Sequence, residues 1–143
     1  MNKKHRVLLC DDQDMVRWTV REFLKRHPDI EVVGEAGEGQ AGIDAALELL
    51  PDLVLMDVSM PGVNGVEATR QIVAQAPAVR VLAHSCQSNW EIVDQMFTAG
   101  ARGYLLKQGD GVELVRAIRT VLAGGCFLSS GLMGCATPVE EES

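Results

Sequence analysis

Five polar side chains in this sequence each stand at the end of a short apolar run. They are Asp11, Asp12, Asp57, Ser85 and Lys107. If the three carboxylates converge, they repel one another and raise each other's pKa, unless a cation lies among them. A hard divalent cation relieves that repulsion, and a site built only from oxygen ligands suits Mg²⁺.

A lysine and a hydroxyl beside such a cluster suit the transfer of a phosphoryl group to a carboxylate. One aspartate is then the nucleophile, while Mg²⁺ and the ammonium of Lys107 neutralise charge on the equatorial oxygens. The Ser85 hydroxyl can bind a phosphoryl oxygen. Each side chain taken alone also fits a plainer role, such as an aspartate that caps a helix, so the inference depends on the whole set.

The segments that would position these residues alternate between two kinds. Short apolar runs predict buried parallel strands over Arg6–Cys10, Ile30–Glu35, Leu53–Met56, Val79–Ala83 and Gly103–Leu106. A segment with helical periodicity follows each of them. Five units in strict alternation predict an α/β fold, with an open parallel sheet between two layers of helices. Ligands of such sheets bind beyond the carboxyl ends of the strands, where the polar side chains would meet.

The helical segments also make local predictions. The second is expected to bury Leu50 on its apolar face. The third covers roughly Gly65–Gln75 and the fourth covers Trp90–Thr98, with Asn89 or Ser88 as the N-cap.

Two aromatic side chains outside the polar set have predicted environments. Trp18 lies about half a turn from the apolar stripe of its helix, beside Arg17 and Arg21. An exposed tryptophan on a basic face indicates a possible contact surface for a partner or a second copy. His84 precedes Ser85 on its strand and should point to the opposite side, as a core histidine rather than a pH sensor.

Composition limits the class of function. The 143 residues are 47% hydrophobic and 23% charged, which fits one globular domain. The net charge of −7 disfavours direct binding to a polyphosphate. The cysteines lack zinc-site spacing, and no stretch resembles a signal peptide or a membrane span, so we expect a cytoplasmic protein without membrane contact. The pattern changes at Gly124, which predicts a domain over residues 1–123 and a linker or tail over residues 124–143.

Four stretches carry a family resemblance, in the right order and at the right spacing. They are Leu8-Leu9-Cys10-Asp11-Asp12, Asp57-Val58-Ser59-Met60-Pro61-Gly62-Val63-Asn64-Gly65, Ser85, and Gly103-Tyr104-Leu105-Leu106-Lys107. Residues 6–123 thereby resemble the receiver domain of bacterial two-component response regulators. The stretch from Ala101 to Gly125 is most similar to regulators whose output is a helix-turn-helix DNA-binding domain, and on that resemblance the output domain is missing from this chain.

The resemblance implies a phosphorylation-dependent signalling switch and not an enzyme, since the chain would support only its own phosphorylation and dephosphorylation. A histidine kinase or phosphotransfer protein would be the partner, and phosphorylation could produce a homodimer. DNA would be bound only through the missing output domain. The implied sheet is five-stranded and doubly wound, with the flavodoxin-like order 2-1-3-4-5.

The resemblance also implies roles for individual residues. Asp57 would be the phosphoacceptor, Lys107 would bind phosphate, and Ser85 and Tyr104 would form the switch pair. The implied ligands of Mg²⁺ are the carboxylates of Asp11, Asp12 and Asp57 and the backbone carbonyl of Ser59.

Two features depart from the family pattern or flank the site. Many receivers have proline after the lysine, in a cis bond, whereas Gln108 follows Lys107 here. A cis bond before a residue other than proline costs about 3 kcal/mol, so this link can be trans or strained. Ser59 and Gln87 occupy positions that influence the lifetime of the phosphoryl group in the family.

Two alternatives remain open from the sequence. Gly37, Gly39 and Gly42 match a dinucleotide-binding fingerprint that follows a strand and opens a helix, and a dinucleotide-binding enzyme fragment would use them. Glu38 would repel the pyrophosphate, and that function leaves the five polar residues unexplained. The other alternative is a receiver-like interaction module that never receives phosphate.

Overall fold

A computed structural model describes residues 3–132 of the chain. The strands are β1 His5–Cys10, β2 Ile30–Ala36, β3 Leu53–Asp57, β4 Arg80–Ser85, β5 Gly103–Leu106 and β6 Phe127–Leu128. The helices are α1 Asp14–Leu24, α2 Gly39–Leu49, α3 Gly65–Gln75, α4 Trp90–Ala99 and α5 Gly111–Leu122. Within this described range, no helix has the length and the apolar character that crossing a bilayer requires.

All the strands pair in parallel, in the order β2-β1-β3-β4-β5-β6. The predicted order is preserved for the first five strands, but the predicted count of five is wrong. The sixth strand, Phe127–Leu128, pairs with β5 beyond the limit at residue 123 that we predicted for the domain. Two residues are too few to show a strand pattern in the sequence. The rest of the predicted linker or tail, residues 133–143, lies outside the described residues.

The sheet is covered by helices on both faces, as the alternation of segments predicted. Leu53 and Leu55 on β3 belong to the core cluster that packs against α1 and α5. Val54 and Met56, the alternate residues of the same strand, belong to the cluster with α2, α3 and α4. Because side chains alternate across a strand, a fully apolar strand fills both cores at once. The α/β, three-layer prediction is confirmed.

Helix boundaries follow side-chain caps where the sequence provides them. Asn64, Asn89 and Asp110 accept hydrogen bonds from backbone N–H groups in the first turns of α3, α4 and α5. The prediction of Asn89 as a cap is confirmed. The prediction that Leu50 is buried is wrong, because it ends α2 in a left-handed conformation with φ of 46° and is 57% exposed.

His84 lies in the core, as predicted, on the face of the sheet that packs against α1. It is opposite Asp57 in the β3–β4 register and is 8% exposed. Burial, and to a smaller extent the nearby charge of Lys107, lower the pKa of its imidazole to about 4. With a pKa of about 4, this imidazole is neutral at pH 7.

This burial predicts a specific loss of stability in acid. The folded pKa of His84 is about 4, below its usual value of 6.5, so the neutral form favours the native state above pH 6.5. That contribution is lost as pH falls through 4, by on the order of 3 kcal/mol. In urea unfolding at pH 7.5 and pH 4.5, His84→Leu should lose less stability than the wild-type chain. His5→Leu, at an exposed histidine, is the control; equal pH dependence in all three proteins would contradict the prediction.

Candidate functional site

The predicted polar residues do gather at the carboxyl edge of the sheet. Asp11, Asp12 and Asp57 each offer a carboxylate oxygen, and these oxygens lie within 4.8 Å of one another. Asp11 and Asp57 are buried, whereas Asp12 is exposed. In the described part of the chain, this is the acidic group whose geometry can hold a metal ion.

The two buried carboxylates are held by the chain that follows each strand. Asp11 Oδ1 accepts a hydrogen bond from the backbone N–H of Gln13 at 2.9 Å, at the entry to α1. Asp57 Oδ1 accepts the corresponding bond from the N–H of Ser59 at 3.2 Å. In both cases an aspartate side chain makes a turn with the residue two positions on. The turn that ends each strand therefore also orients its carboxylate.

Lys107 extends from the end of β5 into the acidic cluster. Its Nζ lies 2.8 Å from Asp11 Oδ2 and 3.5 Å from Asp57 Oδ1. Burial alone would lower the pKa of this ammonium, but Asp11 and Asp57 reverse the effect and raise the pKa above its usual value. Lys107 is therefore charged at any physiological pH, and Asp11 is its nearer partner.

The charge of the cluster is not fully compensated by the protein. Burial and the charge of Asp11 raise the pKa of Asp57 from 3.8 to about 6, although Lys107 acts in the opposite direction. The buried Asp11 Oδ2 forms an ion pair with Lys107 Nζ at 2.8 Å. Three clustered carboxylates with one ammonium among them fit a hard divalent cation. We conclude that this donor set can hold such an ion.

Ser85 and Tyr104 are connected through the loop that joins β4 to α4. The Ser85 hydroxyl accepts a hydrogen bond from the N–H of Gln87 at 3.0 Å. The Tyr104 hydroxyl donates to the backbone carbonyl of the same Gln87 at 2.8 Å. Ser85 is 1% exposed and Tyr104 is fully buried. The backbone of Gln87 therefore links the side chains of Ser85 and Tyr104.

A second contact of Gln87 spans the site. Its Nε2 donates to Ser59 Oγ at 2.6 Å, which joins the loop after β4 to the loop after β3. The sequence placed these two residues beside the site but did not predict the bond between them. The Lys107–Gln108 link, left open above, is trans, since the described residues contain no cis peptide bond.

The glycines of the dinucleotide-like motif have a packing role. A Cβ on Gly39 would lie 1.7 Å from the carbonyl oxygen of Val63, and one on Gly42 would lie 3.0 Å from Cys10 Sγ. Both glycines thus allow α2 to approach its neighbours closely. Gly65 has the same role at α3, where a Cβ would lie 2.2 Å from the Asp57 carbonyl oxygen. The motif is explained without a nucleotide.

The surface of α1 differs from the prediction in one respect. Trp18 is exposed, at 52%, as expected. However, Arg17 forms ion pairs with Asp14 and Glu35, and Arg21 also pairs with Glu35, so this face is less basic than the sequence suggests. Arg17 also donates to the backbone carbonyl of Asp11 and so supports the site. Sequence spacing could not predict this role, because the bond joins a side chain of α1 to a backbone carbonyl outside that helix.

Comparison with known proteins agrees with this geometry. The chain matches the response regulator receiver domain family over residues 7–119. This chain belongs to that family. The receiver is similar to the transcriptional regulatory protein LiaR of Bacillus subtilis (strain 168), at 41% identity over 129 residues that cover 90% of this chain and 61% of LiaR. It is 39% identical to the nitrate/nitrite response regulator NarL of Escherichia coli (strain K12), covering 93% of this chain and 60% of NarL.

Solved structures resemble the receiver over most of its length. A LuxR-family two-component response regulator from Aurantimonas sp. SI85-9A1 aligns with a TM-score of 0.88 and 36% identity, covering 92% of this chain and 94% of that one. The signal receiver domain of NarL from Mycobacterium tuberculosis aligns with a TM-score of 0.82 and 34% identity, covering 85% and 98%. The chain spans about three fifths of the length of LiaR and NarL. The dinucleotide-binding alternative finds no support.

The raised pKa of Asp57 predicts that its charge costs stability. The folded pKa of about 6 exceeds the unfolded value of 3.8, so the native state loses stability as pH rises through this window. Without divalent cations, Asp57→Asn should be more stable than the wild-type chain at pH 8, by about 1–3 kcal/mol. The advantage should shrink toward pH 4.

Urea unfolding in a chelating buffer measures this difference. Asp94→Asn, at an exposed aspartate on α4, is the matched control and should change little. A wild-type chain as stable as Asp57→Asn at pH 8 would contradict the prediction.

Proposed function

We propose that this receiver is a phosphorylation-dependent switch in which Asp57 accepts the phosphoryl group. The observation that carries the proposal is a buried aspartate at the end of β3, with an ammonium 3.5 Å from its Oδ1 and two further carboxylates beside it. A phosphoryl group brings negative charge that needs cations close by, and this edge of the sheet gathers the groups that would hold them.

The chemistry assigned to Asp57 is nucleophilic attack on phosphorus. Its Oδ1 is engaged by Ser59 N–H and faces Lys107, which leaves Oδ2 for bond formation as the donor's phosphorus–nitrogen bond breaks. The Mg²⁺ ligands would be Asp11, Asp12, Asp57 and the backbone carbonyl of Ser59, and the ion would neutralise charge on the phosphoryl oxygens. Lys107 would do the same from the other side. The chain is not an enzyme beyond supporting its own phosphorylation and dephosphorylation.

The switch step would use the hydroxyl of Ser85. This hydroxyl accepts the N–H of Gln87, so its own proton is available for a phosphoryl oxygen on Asp57. If Ser85 moves toward that oxygen, the loop bearing Gln87 follows, and so does Tyr104, which is bonded to it. The surface formed by α4, β5 and α5 would then favour a different partner. Phosphorylation needs only to bind the active arrangement better than the inactive one.

The partners follow from the family. A histidine kinase or phosphotransfer protein would supply the phosphoryl group, and the phosphorylated receiver would form a homodimer. A DNA-binding output domain, joined to the receiver by the chain after Leu132, would regulate transcription. LiaR, which is named as a transcriptional regulatory protein, is longer than this chain, and this supports the arrangement. We place the protein in the cytoplasm, where its kinase partner would meet it.

Labelling with acetyl phosphate tests the proposed acceptor. In the presence of Mg²⁺, the intact mass of the wild-type chain should rise by one phosphoryl group, because acetyl phosphate can replace the protein donor. Asp57→Ala should abolish the gain, whereas Asp94→Asn should keep it. Retention of the label in Asp57→Ala would show another acceptor. No label on the wild-type chain would instead favour a receiver-like module that is never phosphorylated.

The exposed Trp18 would belong to the surface that contacts the kinase, and a substitution there tests this assignment. It lies on α1, which begins directly after the acidic pair, and Met15 beside it is also exposed. Trp18→Ala should leave labelling by acetyl phosphate unchanged and slow transfer from a histidine kinase that labels the wild-type chain, by about tenfold. Leu50→Ala, at an exposed leucine after α2, is the control. Equal transfer to Trp18→Ala and the wild-type chain would remove Trp18 from this surface.

A further inference from the structure

The segment that follows α5 is bound along the outer side of β5. We call residues 127–132 the strap. The N–H of Phe127 donates to the carbonyl of Arg102 at 3.1 Å, and the N–H of Ser129 donates to the carbonyl of Tyr104 at 3.1 Å. The strap therefore extends the sheet beside the strand that carries Tyr104 and leads to Lys107.

A buried side chain ends this pairing. The Ser129 hydroxyl, on a residue that is 1% exposed, accepts a hydrogen bond from the backbone N–H of Leu106 at 2.8 Å. In a longer strand a backbone carbonyl would take this position, and here the hydroxyl replaces it. Without the hydroxyl, the N–H of Leu106 would be buried and unpaired, a loss that proteins rarely tolerate.

The bond at Leu106 fixes the chain immediately before Lys107. On the other side of β5, the N–H of Lys107 donates to the carbonyl of Ser85 at 2.8 Å. The two successive N–H groups at the end of β5 are thus bound to different elements, one to the strap and one to β4. The backbone from which the Lys107 side chain extends is therefore hydrogen-bonded to the strap on one side and to β4 on the other.

The strap is itself anchored in the core beside Tyr104. Leu132 is fully buried and belongs to the same cluster as Tyr104 and Leu106. At Gly131 a Cβ would lie 2.9 Å from Leu106 Cδ1, so the strap passes directly over that side chain. The N–H of Ser130 donates to the carboxylate of Glu113 on α5 at 3.2 Å. The strap therefore contacts β5, the strand that carries Tyr104 and leads to Lys107.

We propose that Ser129 is a positioning residue for the phosphorylation site, and that docking of the strap and phosphorylation of Asp57 favour each other. The inference rests on the proposed function. Lys107 Nζ is 0.7 Å closer to Asp11 Oδ2 than to Asp57 Oδ1, 2.8 Å against 3.5 Å, so a small shift of its backbone changes which carboxylate it binds. A docked strap restricts that shift and keeps the ammonium within reach of a phosphoryl group on Asp57.

Beryllium trifluoride with Mg²⁺, an analogue of the phosphoryl group, tests this coupling at equilibrium. Ser129→Ala in the full chain should weaken its binding by about threefold to tenfold, since Lys107 is less well placed. Ser129→Thr, which keeps the hydroxyl, should restore binding. Ser130→Ala is the matched control. The Ser130 side chain is exposed, and the residue contacts Glu113 through its backbone N–H, which the substitution keeps. Leu132→Val loosens the anchor without removing the hydroxyl and should give a smaller loss in the same direction.

Hydrogen exchange distinguishes positioning from a general loss of stability. Coupling is reciprocal, so the analogue should slow exchange of the Leu106 amide in the wild-type chain by the factor that Ser129→Ala costs in binding. Because the analogue also slows every amide that exchanges by global unfolding, a purely structural strap would leave the Leu106 amide slowed no more than the amides of β3. Equal binding by Ser129→Ala and the wild-type chain would overturn the inference alone. A wild-type chain that binds no analogue and takes no label at Asp57 would overturn the proposed function as well.

Discussion

The structure depends on one electrostatic arrangement, in which buried carboxylates share a sheet edge with a single ammonium. Asp11 and Asp57 are both nearly inaccessible to water, and Lys107 lies between them. Burial and the neighbouring charge of Asp11 disfavour the charged form of Asp57. One lysine does not balance three acids, so the site retains a demand for further positive charge. That excess of negative charge is the physical reason why this donor set suits a divalent cation.

The rest of the fold holds this arrangement between two largely apolar cores. Parallel strands bring all their carboxyl ends to one edge, and alternation of side chains fills two apolar cores from the same strands. Close approach of helices at Gly39 and Gly65 lets α2 and α3 pack against the loop and strand that carry Asp57. The close packing of these elements therefore offsets the electrostatic repulsion between the gathered carboxylates.

Much of this could be predicted from sequence because the relevant signals are local. Each strand is an apolar run, α3 has the same bounds in the prediction and the structure, and the polar residues that end the strands had to meet at one edge. The prediction that Leu50 is buried was wrong because periodicity does not show where a residue in the left-handed conformation ends a helix. Three contacts could not be predicted because they join elements that are distant in the sequence. They are the ion pair of Arg17 with Glu35, the bond between Gln87 and Ser59, and the closer approach of Lys107 to Asp11 than to Asp57. Such contacts are settled by packing to within tenths of an ångström, which no spacing pattern encodes.

The short strand β6 has a consequence for how the protein behaves at high concentration. A sheet edge exposes backbone groups that can recruit strands from other molecules and so begin aggregation. Here the apolar β5 is covered, and in the described chain that side of the sheet ends in a strand of two residues, Phe127–Leu128. The opposite edge, β2, carries the exposed Glu31, whose charge disfavours the close approach of another copy. Both borders of the sheet are thereby poor templates for fibre growth.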